Sequence, residues 1–128
     1  MSTISFAKAI NKLLSTNNIK AVVKNKVFPL IAGLNTTFPY IVFQRTSNTH
    51  TTKDNIYQDN VSVEIIGVSD DYDKSVRLGE LIRDELEGKR NLNIEGFKIA
   101  DIKMIDSHES YSNEAYIQSL TFNFKINL

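Results

Sequence analysis

The residues able to do chemistry are few, and their spacing argues against a reaction centre. There are two histidines, His50 and His108. A catalytic histidine needs an orienting acid and a nucleophile or metal at a defined spacing. His50 stands in a polar stretch, and His108 adjoins Glu109 near the turn before the last strand. Neither fits such a pattern, so both read as exposed structural histidines. Asp70-Asp71-Tyr72-Asp73 has the acids of a calcium loop but lacks the central glycine that such a loop requires. A helix follows it at once, and capping that helix is the simpler role. The glycines Gly33, Gly67, Gly79, Gly88 and Gly96 are scattered, which excludes a phosphate-cradling loop. No serine elbow is present. Asp101 and Asp106 read as surface acids. Cysteine is absent, which removes disulfides, thiol catalysis and cysteine-ligated zinc, and fits synthesis in a reducing cytoplasm. The expectation is a non-enzyme with no catalytic residue, cofactor or metal.

The charge pattern says more. Net charge is zero, yet Lys8, Lys12, Lys20, Lys24, Lys26, Arg45 and Lys53 all precede the first acid, Asp54. All 15 acids fall after that point, against the remaining 8 bases. Either the two halves fold together and their charges intermix, or the molecule has a basic side and an acidic side. A subunit of the second kind suits head-to-tail stacking, and its basic face suits a channel that passes DNA. Phe28 and Phe43 lie near the basic stretch, but inside apolar runs, where core packing is the default.

These residues are positioned by a short list of elements. A length of 128 residues suits one domain, residues 1–128, with a core of its own. Phe6, Ile10, Leu13 and Leu14 recur at helical spacing within Thr3–Ser15, with Asn17-Asn18 as a stop. Val27-Phe28-Pro29-Leu30-Ile31 is apolar, but its proline points to an edge or irregular segment. Tyr40–Arg45 reads as a strand, followed by the polar residues 46–55 as a hairpin tip or loop. Val61, Val63 and Ile65 alternate with Ser62 and Glu64, the mark of a half-buried antiparallel strand. Ser69 or Asp70 caps a helix whose apolar face is Leu78, Leu81, Ile82 and Leu86, and which stops at Gly88. Gly79 lets this helix approach the sheet closely. Phe97–Asp106 is another strand. The clearest pattern is last: Leu120, Phe122, Phe124, Ile126 and Leu128 alternate with Ser119, Thr121, Asn123, Lys125 and Asn127. The fold class is α+β, a mainly antiparallel sheet of about four to five strands packed with two helices. No repeat, secretory leader or bilayer-length apolar run is expected, since the longest runs are strand-sized.

The order of these pieces resembles the tail completion proteins of tailed bacteriophages, also called tail terminators or head-to-tail joining proteins. The match is carried by the N-terminal helix leading to Val27-Phe28-Pro29, and by Phe38-Pro39-Tyr40-Ile41-Val42-Phe43-Gln44, which is similar to the family's Pro-Tyr-Ile-Val strand start. The alternating strand Val61–Gly67 follows, then the helix from Tyr72-Asp73 to Leu86-Glu87-Gly88. Asp106, Glu109 and Tyr111 then precede Tyr116 and the strand Leu120–Phe124. The resemblance implies a ring, usually of six copies, on the head-proximal end of the tail tube. The ring stops tube growth and meets the neck, and DNA passes through it without sequence-specific contact. It implies the chain itself, a tube protein and a connector or neck protein as partners, and no membrane. It places the chain in the virion tail, and in the bacterial cytoplasm during assembly. In that role the stretch 46–55, with His50 and Lys53, and the turn 107–114, with His108, Glu109 and Tyr111, are the expected partner contacts. Lys8, Lys12, Lys20, Lys24 and Lys26 face DNA or a neighbour's acids. Another neck or minor virion component, a small nucleic-acid-binding α+β module and a small-molecule enzyme on a ferredoxin-like scaffold stay open as rivals.

Overall fold

The computed structural model describes residues 2–51 and 57–128. Lys53 and the end of the polar stretch, residues 52–55, lie outside the described residues. The class is α+β, as the patterns imply, with a fuller set of elements. A 3-10 turn, Thr3–Ser5, leads through Phe6 into α1 (Ala7–Leu13). Then come α2 (Asn17–Val23), β1 (Val27–Pro29), β2 (Tyr40–Thr51), β3 (Gln58–Ser69), α3 (Tyr72–Leu86), β4 (Arg90–Ile94), β5 (Phe97–Ser112) and β6 (Ala115–Asn127). Among the described residues the sheet has six strands in the order β1-β2-β3-β6-β5-β4, and there are three α-helices. No described helix is long and apolar enough to cross a membrane.

The expected count of four to five strands and two helices is therefore exceeded. Asn17-Asn18 does not end the helical region. Thr16 accepts a hydrogen bond from the Ile19 amide and starts α2, which buries Ile19 and Val23 one turn apart. The strand β4 comes from the Ile94-Glu95-Gly96-Phe97 hairpin, where Glu95 and Gly96 both take positive φ, at 52° and 83°. That is the backbone of a tight two-residue hairpin turn. The α3 cap is Asp71, whose carboxylate accepts from the Lys74 amide at 3.1 Å. Leu81 is only half-buried, and Leu128 is exposed instead of continuing the apolar face of β6.

Among the described residues all strand pairs are antiparallel except β1 with β2. One sheet face carries Ile41, Phe43, Val61, Val63, Ile65, Phe97, Ile99, Ile102, Phe122, Phe124 and Ile126. Against it pack Phe6, Ile10 and Leu14 from the N-terminal segment, Ile19 and Val23 from α2, and Leu78, Ile82 and Leu86 from α3. The Phe6 ring meets Phe97 edge-on at 5.1 Å and Phe124 at 5.2 Å, so the N-terminal turn is seated at the sheet centre. Gly67 allows a close approach: a Cβ there would lie 3.0 Å from Leu78 Cδ2 and Cγ. At Gly79 it would lie 3.3 Å from Gln118 Cβ, in line with the expected close docking of this helix.

Among the described residues the opposite face carries no helix. It presents Gln44, Glu64, Asn60, Asn123, Gln58, Asn127 and Ser119, joined across strands. Glu64 accepts from Ser119 Oγ at 2.6 Å and from Gln44 Nε2 at 3.3 Å. Gln58 Nε2 donates to Asn127 Oδ1 at 2.7 Å.

Both outer strands are covered over only part of their length. β1 pairs with Ile41–Phe43 of β2 and the cover ends where the Leu30 amide bonds the Phe43 carbonyl. Past that point Arg45–Thr51 is exposed. On the other side, β4 pairs with Phe97–Asp101, Lys89 and Gly88 bond Ile102, and the Met104 amide donates to the Glu87 carboxylate. From Ile105 to Ser112 the strand β5 is exposed.

Candidate interaction surfaces

The expected contact residues fall into three separate groups. The first is at the far end of the β2–β3 hairpin. His50 Nδ1 lies 2.6 Å from Asp59 Oδ1, and the other Asp59 oxygen accepts from the Thr3 hydroxyl. Asn48 Nδ2 donates to that same Thr3 hydroxyl oxygen at 2.7 Å. Thr3 and Asp59 are buried, while the His50 side chain is 49% exposed. The hydrogen bond from Thr3 holds the Asp59 carboxyl below its usual range, opposed by burial and aided by His50. The acid stands between the hydroxyl and the imidazole, so His50 makes no bond to Thr3. The arrangement ties the N-terminal turn to the hairpin, and His50 has a partner that sequence reading missed. Asp59 carries a signal in hindsight: it occupies an inward position of an alternating strand, where a carboxylate requires hydrogen-bonding partners.

The second group surrounds the start of α3. The expected 107–114 turn is not a loop. β5 runs to Ser112 and turns at Asn113-Glu114, both with positive φ. Glu109 is therefore a strand residue facing Gln118. It accepts from Tyr72 Oη at 3.0 Å and from Gln118 Nε2 at 2.9 Å. Its hydrogen bond, and then its charge, push the Tyr72 phenol up from 10.0. Tyr111 packs on Tyr116 at 4.8 Å between ring centres, and Tyr116 meets Tyr72 edge-on at 5.7 Å. Tyr111 is 61% exposed. His108 lies on the helix-free side, opposite Ser119, with Nδ1 4.0 Å from Asp106.

The third group is basic. Lys8 and Lys12 on α1 and Lys20 on α2 line one shallow concavity with Asn11, Ser15 and Glu95. Lys24 and Lys26 do not line it. Lys26 donates instead to the Thr37 carbonyl and hydroxyl, at 2.9 and 3.0 Å. Among the described residues no lysine or arginine lies within 4.0 Å of a carboxylate.

A groove beside the exposed half of β2 is apolar. It is lined by Ile4, Phe6, Ala7, Leu30, Phe43 and Arg45, among others. Ile4 and Leu30 are largely exposed at its rim. No cluster of three or more metal-ligating side chains occurs among the described residues.

No protein-family model matches the sequence, and no curated protein matches it either. The fold does match solved structures. One is a chain in the virion of a native gene transfer agent particle, with a TM-score of 0.80 and 11% identity, covering 95% of this chain and 93% of that chain. A second solved chain matches with a TM-score of 0.65 and 12% identity, over 100% of this chain and 97% of that one. At these identities the likeness is one of fold, and it spans nearly the full length of the chain.

Proposed function

We propose that this chain is a structural protein of a tailed phage or phage-like particle. It assembles as a ring at the head-proximal end of the tail tube, ends tail growth and joins the tail to the head. The observation that carries the reading is the near full-length fold likeness to a chain of a gene transfer agent virion. The likeness supports a virion component, and the order of strand and helix motifs, which resembles the tail completion family, is what points to the tail end within the particle.

The surfaces suit an assembling subunit. The basic cluster of Lys8, Lys12 and Lys20 has no ion pair within the molecule among the described residues, so it is open to a neighbour's acids or to passing DNA. The tyrosine-rich group around Tyr72, Tyr111 and Tyr116 is of the kind enriched at protein interfaces, and it projects from a hairpin end. Tube and neck proteins are the partners in this reading, and DNA is cargo.

The test is electron microscopy of particles made after deleting this gene from its parent phage or element. Filled heads lying apart from tails, some of them overlong, is the expected result. Normally joined particles would overturn the reading.

A further inference from the structure

The two exposed half-edges of the sheet are complementary, and we infer that they pair: Arg45–Thr51 of β2 in one copy with Ile105–Ser112 of β5 in the next. The occupant of each edge is thus a second copy of this chain, joined head to tail. The inference rests on the ring reading only for closure into a ring.

Four observations carry it. The first is coverage. β1 stops at the Phe43 level of one edge, and the Glu87–Ile94 segment stops at Met104 on the other. A neighbour's strand therefore continues end to end with the existing cover on each side. The second is facing. With antiparallel pairing of Thr51 to Asp106, Thr49 to His108 and Ser47 to Ser110, every pair lies on the same sheet side, up to the bulge at Arg45/Ser47. Ser47 and Thr49 point to the helix-free side with Ser62 and Asn60, as His108 and Ser110 do with Ser119 and Ile117. Asn48 and Glu109 share the helix side. A slip of one residue would break this alternation.

The third is chemistry. The β2 half-edge carries Arg45 and His50 and no acid, while the β5 half-edge and its turn carry three acids, Asp106, Glu109 and Glu114, against His108 alone. Past the bulge Arg45 shares the helix side with Tyr111 and lies towards the Asn113-Glu114 turn, and Tyr111, 61% exposed, lies beside the apolar groove of Ile4, Leu30 and Phe43. The fourth is geometry. Within one molecule Asp106 is level with Gln44, through Thr121 and Glu64. Between copies it is level with Thr51, seven positions on, less one absorbed by the bulge at Arg45/Ser47. At ~3.3 Å per residue this is roughly 20 Å along the strands, for roughly 19 Å across the four strands from β2 to β5 at ~4.8 Å each. The resulting strand tilt is about 45°, at the upper end of what closed barrels use. Such a joint is heterologous and closes by rotation.

The absence of cysteine makes the test direct. Separately purified Ser47→Cys and Ser110→Cys proteins are mixed, oxidised with copper-phenanthroline and run on non-reducing gels and by native mass spectrometry. The expected result is a mixed dimer, and an oligomer ladder from the double variant. The pair Thr51→Cys with Ser110→Cys, four residues out of register, should cross-link at less than a tenth of that yield. Ser47→Cys alone forming the main dimer would show like edges paired, and would overturn the joint. Assembly of the unmodified chain without the mixed dimer would overturn the joint and leave the ring standing. A chain that stays monomeric up to millimolar concentration and gives no cross-link would overturn the joint. Cross-links in a chain whose deletion leaves particles joined would keep the joint and remove the tail role.

Discussion

Replacing Phe6 by alanine tests whether the N-terminal turn is part of the core. Phe6 is 1% exposed, and its ring contacts both Phe97 and Phe124 edge-on. Phe→Ala at such a site costs about 3–5 kcal/mol, because transfer and cavity terms add. Each edge-to-face pair accounts for about 0.5–1.5 kcal/mol of that. With a urea slope of about 2 kcal/mol/M for a domain of this size, the midpoint should fall by roughly 1.5–2.5 M. Phe6→Leu keeps much of the volume and loses the ring geometry, so its fall should be less than half as large. Urea titration followed by circular dichroism, at low concentration to keep assembly out of the equilibrium, measures both. A Phe6→Ala midpoint within about 0.5 M of the parent would refute the packing, since a cavity of this kind always costs more. The double variant Phe6→Ala/Phe97→Ala should cost less than the sum of the singles, as expected for touching residues.

Gly67→Ala should destabilise by about 1–3 kcal/mol, because the new methyl meets Leu78 at 3.0 Å; adding Leu78→Val should recover part of the loss in the same titration. Asp59 has a lowered pKa in the folded chain, so its contribution is present above about pH 4, the unfolded range, and is lost as pH falls through the folded value. Asp59→Asn should flatten the stability curve in that acid window, and an unchanged acid limb would contradict the assignment. Tyr72 is raised, so its contribution holds below the unfolded value of 10.0 and is lost as pH rises through the folded one. Glu109→Gln should bring its titration back toward 10.0, read by NMR of the ring signals. Triple replacement Lys8→Glu, Lys12→Glu and Lys20→Glu should leave unfolding within about 0.5 kcal/mol per site, these being exposed positions. It should reduce particle joining in a complementation assay, and full complementation would show that these lysines face neither DNA nor a neighbour.

Much of the sheet could be read from alternation alone. Val61–Ile65 and Leu120–Ile126 bury alternate residues as expected, and Pro29 does sit on an edge strand. The shorter elements were hidden for physical reasons. Only Leu92 and Ile94 of β4 pack against the core, too few for a period, although Glu95-Gly96 offered a hairpin signal. Ile19 and Val23 gave the four-residue spacing of α2, but the paired asparagines masked it. The polar half-strands 46–51 and 106–112 carry no core residues to mark them, because their pairing comes from the hairpins, not from burial. The site was less visible than the fold. Sequence order could not bring Thr3 to Asp59, or Tyr72 to Glu109, since both meetings depend on β3 and β5 flanking β6.

That central place of β6 also governs when the molecule can fold. Its register with β3, Gln58 to Asn127 through Ser69 to Tyr116, joins segments separated by α3, β4 and β5. During synthesis the β2–β3 hairpin emerges long before Phe122, Phe124 and Ile126, which close the core beneath it. The nascent chain therefore waits with an uncovered apolar sheet until its last strand arrives, and contacts this distant in sequence form slowly. A cell making the protein in quantity has to protect that half-formed sheet, and conditions that slow translation near residue 115 should raise its tendency to aggregate.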